Sequence, residues 1–193
     1  MSERYSASTE SKLAQDVKRI DLILKDELPK YDWLVDSSAK HIVDNGSFSV
    51  SRGYIKAILC IYAHQKPKSF ESNSSVNINN SWLKQSNSKN YHHFFPTAFL
   101  GRSGEDKEKS NHVLNITIVD EYLNKRKIRD RPPSEYMSEF KRSNDELSEC
   151  MKTHLIYDLD EFGVMSDDYQ KFIEKRAGAV SDEIKKRIIP AKN

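Results

Sequence analysis

Apolar residues recur three or four positions apart from Glu10 to Leu28, where Leu13, Val17, Ile20, Leu24 and Leu28 form one stripe that ends at Pro29. That spacing predicts an amphipathic helix with its stripe in the core. A second helical stretch is expected near Trp33 to Val43, stopping at "DNG". A third, Ser51 to Ala63, carries Tyr54, Ile55, Ile58, Leu59 and Tyr62 on its buried side, and Gly46 and Pro67 punctuate the chain. Residues Ser69 to Asn90 are rich in Ser and Asn, with Val76, Ile78 and Trp82 as scattered apolar anchors, and read as an ordered loop. After Pro96 and the polar insert "GRSGEDKEKS", the stretch "NHVLNITIVD" alternates Leu114, Ile116 and Ile118 with Asn115, Thr117 and Val119, as a strand would. A helix from about Asp120 is broken by "RPPSEY". Helices then follow at Ser134 to Phe140, near Asp145 to His154, and from Asp167 to Ile188, where Tyr169, Phe172, Ile173, Arg176, Val180, Ile184 and Ile188 keep helical spacing.

The elements predict an α+β, mostly helical chain. Apolar residues make up 37 % and charged residues 31 % of the 193 positions, and the periodic apolar residues exclude disorder throughout. A net charge of +2 says little about partners, so any nucleic-acid signal must come from local clustering. The first residues lack the apolar core of a signal peptide, and the longest apolar run, Ala57 to Ala63, is too short to span a bilayer. These features point to a cytoplasmic protein with no membrane partner. Cys60 and Cys150 have no metal-like or redox-like spacing and read as buried thiols, which excludes a structural zinc module.

The candidate chemistry lies in "NSKNYHHFFPTAFL", where His92 and His93 sit in an aromatic stretch closed by Pro96. Neighbouring strand residues face opposite ways. The residue types alone leave two readings open: one ring is a hydrogen-bonded interior imidazole, or one ring binds a metal while the other faces a substrate.

"HHFFP", a variable loop, a strand carrying Asn115 and a helix carrying Asn124 together resemble the His-Asn-His (HNH) endonucleases, which have a ββα-metal fold. Over Asn90 to Arg187, "NYHHFFP", "NITIVDEYLNKRK", "RPPSEYM" and "FIEKRAGAVSDEIKKRI" resemble the C-terminal nuclease domain of GmrSD-type and SspE-type proteins, prokaryotic defence proteins that restrict phage DNA. "RGYIKAILCIYAHQKPKSF" is similar to the helical segment preceding that core. The resemblance implies an N-terminal helical flank over residues 1–66, a ββα-metal core over 67–133, and C-terminal helices over 134–193 packed on the core. It implies a metal-dependent DNA endonuclease that nicks or cleaves with low sequence specificity. The alternative is an inactive nucleic-acid-binding or protein-interaction module on the same scaffold.

Residue by residue, the resemblance implies that His93 is the general base, that His92 and Asn124 are metal ligands, and that Asn115 braces the loop and helps orient the base. Hydrolysis of a phosphodiester wants a base near neutral pKa and a cation on the phosphate oxygens. His92 stands where Asp is commoner, and this neutral donor weakens the case for Mg²⁺ alone; Mn²⁺ is an equal expectation, with Ni²⁺, Co²⁺ or Zn²⁺ as alternatives. Asp120 and Glu121 fit capping better than ligation, and His112 reads as an exposed loop residue and a weaker alternative ligand. The basic run Lys125, Arg126, Lys127, Arg129 and Arg131 lies beside this site and is expected to contact DNA phosphates, with phage or modified DNA as substrate. The chain carries no Gly-rich phosphate loop. The family's nuclease follows an N-terminal sensing or nucleotide-hydrolysing part, which is expected in the same protein or in a partner subunit.

Overall fold

The computed structural model describes residues 8–31, 35–78, 91–120 and 122–188; the side chains of residues 107, 108 and 124 lie outside that description. Trp33, Trp82 and Glu121 also lie outside it. The chain is α+β and mostly helical. Helices α1 (Thr9–Leu24), α2 (Ala39–Asn45) and α3 (Gly53–His64) precede strand β1 (Tyr91–His93) and the short helices α4 (Thr97–Arg102) and α5 (Lys107–Ser110). A 3-10 turn, Val113–Asn115, leads directly into strand β2 (Ile116–Ile118), and a π-type helix, Leu123–Ile128, follows. Helices α6 (Pro133–Ser143), α7 (Leu147–Lys152) and α8 (Tyr169–Lys185) complete the order.

The two strands form an antiparallel sheet in the register Tyr91↔Ile118, His92↔Thr117 and His93↔Ile116. All three residues of β2 are buried, so the apolar-polar alternation expected across residues 114–119 does not mark one wet face. Its first part is the 3-10 turn, and the strand lies against α3, with the turn against α3 and α8. A strand covered on both faces buries its polar position too, so Thr117 lies in the interior and its hydroxyl donates to the His92 carbonyl.

Local chemistry sets the helix ends. Pro133 opens α6, where its missing N–H costs nothing, and Lys141 and Arg142 sit at the negative end of the helix dipole. Asp168 caps α8 by accepting from the Lys171 N–H at 3.0 Å. Asp167 accepts from the Ser134 N–H at 2.8 Å and the Ser134 hydroxyl at 2.6 Å, which ties the start of α6 to the start of α8.

The phenylalanines following the two histidines anchor the hairpin. Phe94 stacks on Phe172 of α8 at 4.9 Å with planes 7° apart, and Phe95 lies 5.0 Å from Phe172 and 5.3 Å from Tyr169. The buried Tyr136 hydroxyl donates to the Phe94 carbonyl. Aromatic pairs of this kind contribute about 0.5–1.5 kcal/mol each beyond their buried area. One hydrophobic cluster runs from Ile42 through Ile55, Phe94 and Ile116 to Phe140 and Val180, so it draws on all three stretches that the sequence suggested as flank, core and flank.

Two expectations are corrected. The α1 stripe is not core: Leu13, Val17, Ile20, Leu24 and Leu28 are 51 to 78 % exposed, and no residue of α1 is buried. The more covered residues are Lys12, Asp16, Arg19 and Leu22. Arg19 pairs with Asp16 at 2.8 Å, donates to the Lys30 carbonyl at 3.3 Å and lies 5.2 Å over the Tyr31 ring. The helix therefore turns its polar side toward the 30–31 turn. The thiols also differ from expectation: Cys150 is buried, whereas Cys60 is exposed because it lies on the outer side of α3.

His154 illustrates what burial does to an imidazole here. Its ring lies edge-on to Phe70 at 4.8 Å and its Nε2 is 2.8 Å from the Lys68 carbonyl, which can only accept, so Nε2 carries the proton. Burial pushes its pKa down from 6.5 to about 3, against the opposing effect of that hydrogen bond. Between these values the unfolded chain binds a proton that the native chain refuses, so stability falls as pH falls through this window. The expected slope is about 1.4 kcal/mol per pH unit. Urea unfolding at pH 4, 5 and 6 checks this: His154→Gln should flatten the slope by close to one proton, and an unchanged slope overturns the account.

Candidate functional site

The chain brings His92, His93 and Asn115 onto the hairpin and places Asn124 on the helix that follows it. Pro96 precedes the first residue of α4, with Phe94 and Phe95 between it and the histidine strand. Arg102, the last residue of α4, holds the Asp130 carboxylate at 2.9 Å and its carbonyl at 2.7 Å, so the loop after β1 is tied to the end of the π-type helix. Asp120 caps the start of that helix by accepting from the Leu123 N–H at 2.7 Å, as its position suggested.

His92 and His93 face opposite ways. His92 is 3 % exposed and His93 half-buried, and the His92 carbonyl accepts from the Thr117 hydroxyl across the ladder at 3.4 Å. Burial holds the His93 pKa below its ordinary value, and a hydrogen bond to Asn111 opposes that shift. His93 is therefore neutral at physiological pH. Its Nε2 lies 3.1 Å from Asn111 Oδ1.

Asn115 is fully buried and uses its whole amide. Its Nδ2 donates to the carbonyls of Phe95 and Ser110, each at 2.9 Å, while its Oδ1 accepts from the Phe95 N–H at 2.8 Å. Its own carbonyl accepts from the Phe94 N–H at 2.7 Å. The side chain thus closes the loop between the histidine strand and β2. It braces that loop, while the side chain bonded to His93 is Asn111, which the sequence reading missed. Asn111 has no periodic or motif signal; its position four residues before Asn115 was the available hint.

His112 is corrected from an exposed loop residue to a clasp. Its Nδ1 accepts from the Leu114 N–H at 3.1 Å and its Nε2 lies 3.0 Å from the Val43 carbonyl, so both ring nitrogens are occupied. The ring lies directly against Gly46, where an added Cβ would meet His112 ring atoms at 2.1 Å, so only glycine fits. Burial lowers the His112 pKa, with a further push from the Arg176 charge. Arg176 is itself buried in α8: it donates to the Leu114 carbonyl at 2.6 Å and lies 4.7 Å over the Tyr62 ring. That cation beneath the 3-10 turn also disfavours a proton on His154.

The basic run divides. Lys127 pairs with Glu71 at 3.0 Å, and Arg131 pairs with Glu139 at 2.8 Å and Glu135 at 3.3 Å, so these two tie the helix to its surroundings. Lys125, Arg126 and Arg129 are exposed, and Arg126 and Arg129 make no ion pair among the described residues. Arg129 adopts a left-handed backbone, φ 59°, where the π-type helix ends.

Among the described residues, no group of three or more His, Cys, Asp or Glu could hold a metal ion. The expected ligands, His92 and Asn124, are one imidazole and one amide. By donor chemistry, the imidazole nitrogen suits borderline cations such as Zn²⁺, Ni²⁺ or Co²⁺ and the amide oxygen suits harder Mg²⁺ or Mn²⁺, so the pair does not select Mg²⁺ alone.

The site defines a class: an α+β, mostly helical protein with a histidine-bearing antiparallel hairpin followed by a short helix. No family model matches the chain and no solved structure matches it. It is similar to the uncharacterized protein MJ0686 of Methanocaldococcus jannaschii, 29 % identical over 146 residues that cover 72 % of this chain and 23 % of that protein. The chain thus spans about a quarter of the length of the curated relative it matches. Among the described residues no helix is long and apolar enough to cross a membrane.

Proposed function

We propose that the chain is a metal-dependent endonuclease domain of HNH type that hydrolyses DNA phosphodiesters with little sequence preference, within a prokaryotic defence system against phage. The observation that carries the reading is the chain-ordered set on the hairpin and helix. It comprises a neutral, half-buried His93 beside a buried His92, a fully bonded Asn115 closing the intervening loop, and a following helix that bears Asn124. The π-type winding of that helix adds support, because such segments frequently mark functional sites.

In this reading His92 and Asn124 hold a divalent cation, which when bound stabilises charge on the phosphate oxygens. The His93 imidazole takes a proton from water, the resulting hydroxide attacks phosphorus, and one ester P–O bond breaks as its oxygen leaves. Lys125, Arg126 and Arg129 contact phosphates, which carry no sequence information. A sensing or nucleotide-hydrolysing part acts with the domain, in the same protein or in trans, and the work is cytoplasmic.

A supercoiled-plasmid assay with Mg²⁺, Mn²⁺, Ni²⁺ or EDTA tests the proposal. Nicked or linear DNA is expected with a metal and none with chelator. Asn124→Ala should lose cleavage while keeping its far-UV circular dichroism, with partial recovery in excess Mn²⁺. Cleavage that survives thorough chelation rules out the metal mechanism. A folded wild-type chain that binds DNA but cuts nothing with any of the metals supports the inactive binding module instead.

A further inference from the structure

We propose that Asn111 is the positioning residue of His93: its side-chain oxygen accepts from Nε2–H, holds the ring in one tautomer, and leaves Nδ1 as the atom that takes the proton from water. The inference rests on the nuclease reading of His93 and adds which nitrogen works and what selects it.

Two contacts orient the Asn111 amide. Its Nδ2 lies 3.5 Å from the Phe48 carbonyl, which can only accept, so Oδ1 is the atom turned toward His93 Nε2 at 3.1 Å. An oxygen there cannot donate. Neutral imidazole carries one proton, so placing it on Nε2 leaves the lone pair on Nδ1.

The Asn111 backbone is held as firmly as its side chain. Its carbonyl accepts from the Phe48 N–H at 2.9 Å, and two residues on, the Val113 N–H donates to the Gly46 carbonyl at 2.7 Å. Ser47 and His112 pair between these bonds as an antiparallel bridge. Phe48 in turn meets Tyr91, two residues before His93 on β1, edge-on at 5.3 Å. On the other side, Asn115 fixes the carbonyl of Ser110, the neighbour of Asn111. Orienting the base and closing the loop are thus divided between two asparagines. A base in the wrong tautomer would present an N–H to the water it must deprotonate, which is why a fixed acceptor on the far nitrogen matters.

The test combines imidazole ¹H–¹⁵N long-range spectra with steady-state cleavage, using Asn111→Leu, which keeps the shape but removes the acceptor, and Asn111→Asp, which keeps an acceptor. The His93 signals are assigned by their loss in His93→Gln. Wild type and Asn111→Asp are expected to show His93 protonated on Nε2 at neutral pH, and Asn111→Leu to lose that preference. Asn111→Leu should lower kcat roughly 10- to 100-fold, the usual range for a lost orienting partner, with little change in KM, and Asn111→Asp should recover most of it. A wild-type ring protonated on Nδ1, or an Asn111→Leu chain with unchanged tautomer and kcat, overturns the assignment of Asn111. If Asn111→Leu does not fold, the wild-type and Asn111→Asp spectra still decide it. The spectra need no cleavage, so a chain that holds the expected tautomer but cuts no DNA overturns the nuclease reading rather than the hydrogen bond.

Discussion

Replacing His93 with alanine should lower DNA cleavage by about 10² to 10⁴-fold, the usual worth of general-base catalysis, while melting temperature and DNA affinity change little. The side chain is half-buried at the edge of the hairpin and its one described hydrogen bond goes to Asn111, so its loss leaves the aromatic anchor of Phe94 and Phe95 intact. Wild-type activity should also fall at acid pH, because only the neutral ring accepts a proton. Burial lowers the His93 pKa from its ordinary 6.5, so the acid limb belongs below that value rather than across pH 6 to 7 as an unperturbed histidine would give. Single-turnover cleavage from pH 4.5 to 8 checks both points. A folded His93→Ala protein that cuts as fast as wild type sinks the assignment and moves the search for a base to His92, since both His112 nitrogens are already engaged.

Asn115→Leu should destabilise the fold by roughly 3 kcal/mol or more, because three buried groups each lose a hydrogen bond. The amide makes three hydrogen bonds inside the protein, and leucine removes all three, one each from the Phe95 N–H, the Phe95 carbonyl and the Ser110 carbonyl. Phe95 and Ser110 are both buried, where each unsatisfied group costs roughly 1–3 kcal/mol. Urea denaturation of the two proteins measures the difference. A change below about 0.5 kcal/mol, the size usual for surface positions, would show that the loop does not depend on this side chain. Cleavage should fall with it, because the loop that Asn115 closes runs from the histidine strand to the residue beside Asn111.

The helices of this chain were legible because packing leaves a period. In α3 and α8 most of the apolar residues at helical spacing are buried, Ile55, Ile58, Leu59 and Tyr62 in the one and Tyr169, Phe172, Ile173 and Val180 in the other, while Tyr54 and Ile184 are only partly covered, and the proline pair marked the break before α6. In α1 the same period was present but its meaning was not. Periodicity reports that one side of a helix is apolar, and it is silent on whether the chain covers that side, which here it leaves exposed. The histidine pair, Asn115 and Asn124 were grouped by the family resemblance through their order along the chain, and their partners were not legible in the sequence.

The amino-acid sequence by itself determined the mostly helical α+β class and the strand stretches at His92–His93 and Ile116–Ile118, because these follow from local patterns of polarity and residue type, whereas the bracing role of Asn115 was implied only by the family resemblance. Tertiary structure alone decided what each polar group meets. Glu71 neutralises Lys127 from far along the chain, His112 clasps Val43 and Leu114 over Gly46, and Asn111 takes the place beside His93. A hydrogen bond or ion pair forms only within a few ångströms, and that distance is set by how helices and hairpin pack, which leaves no periodic mark on the residues that happen to meet.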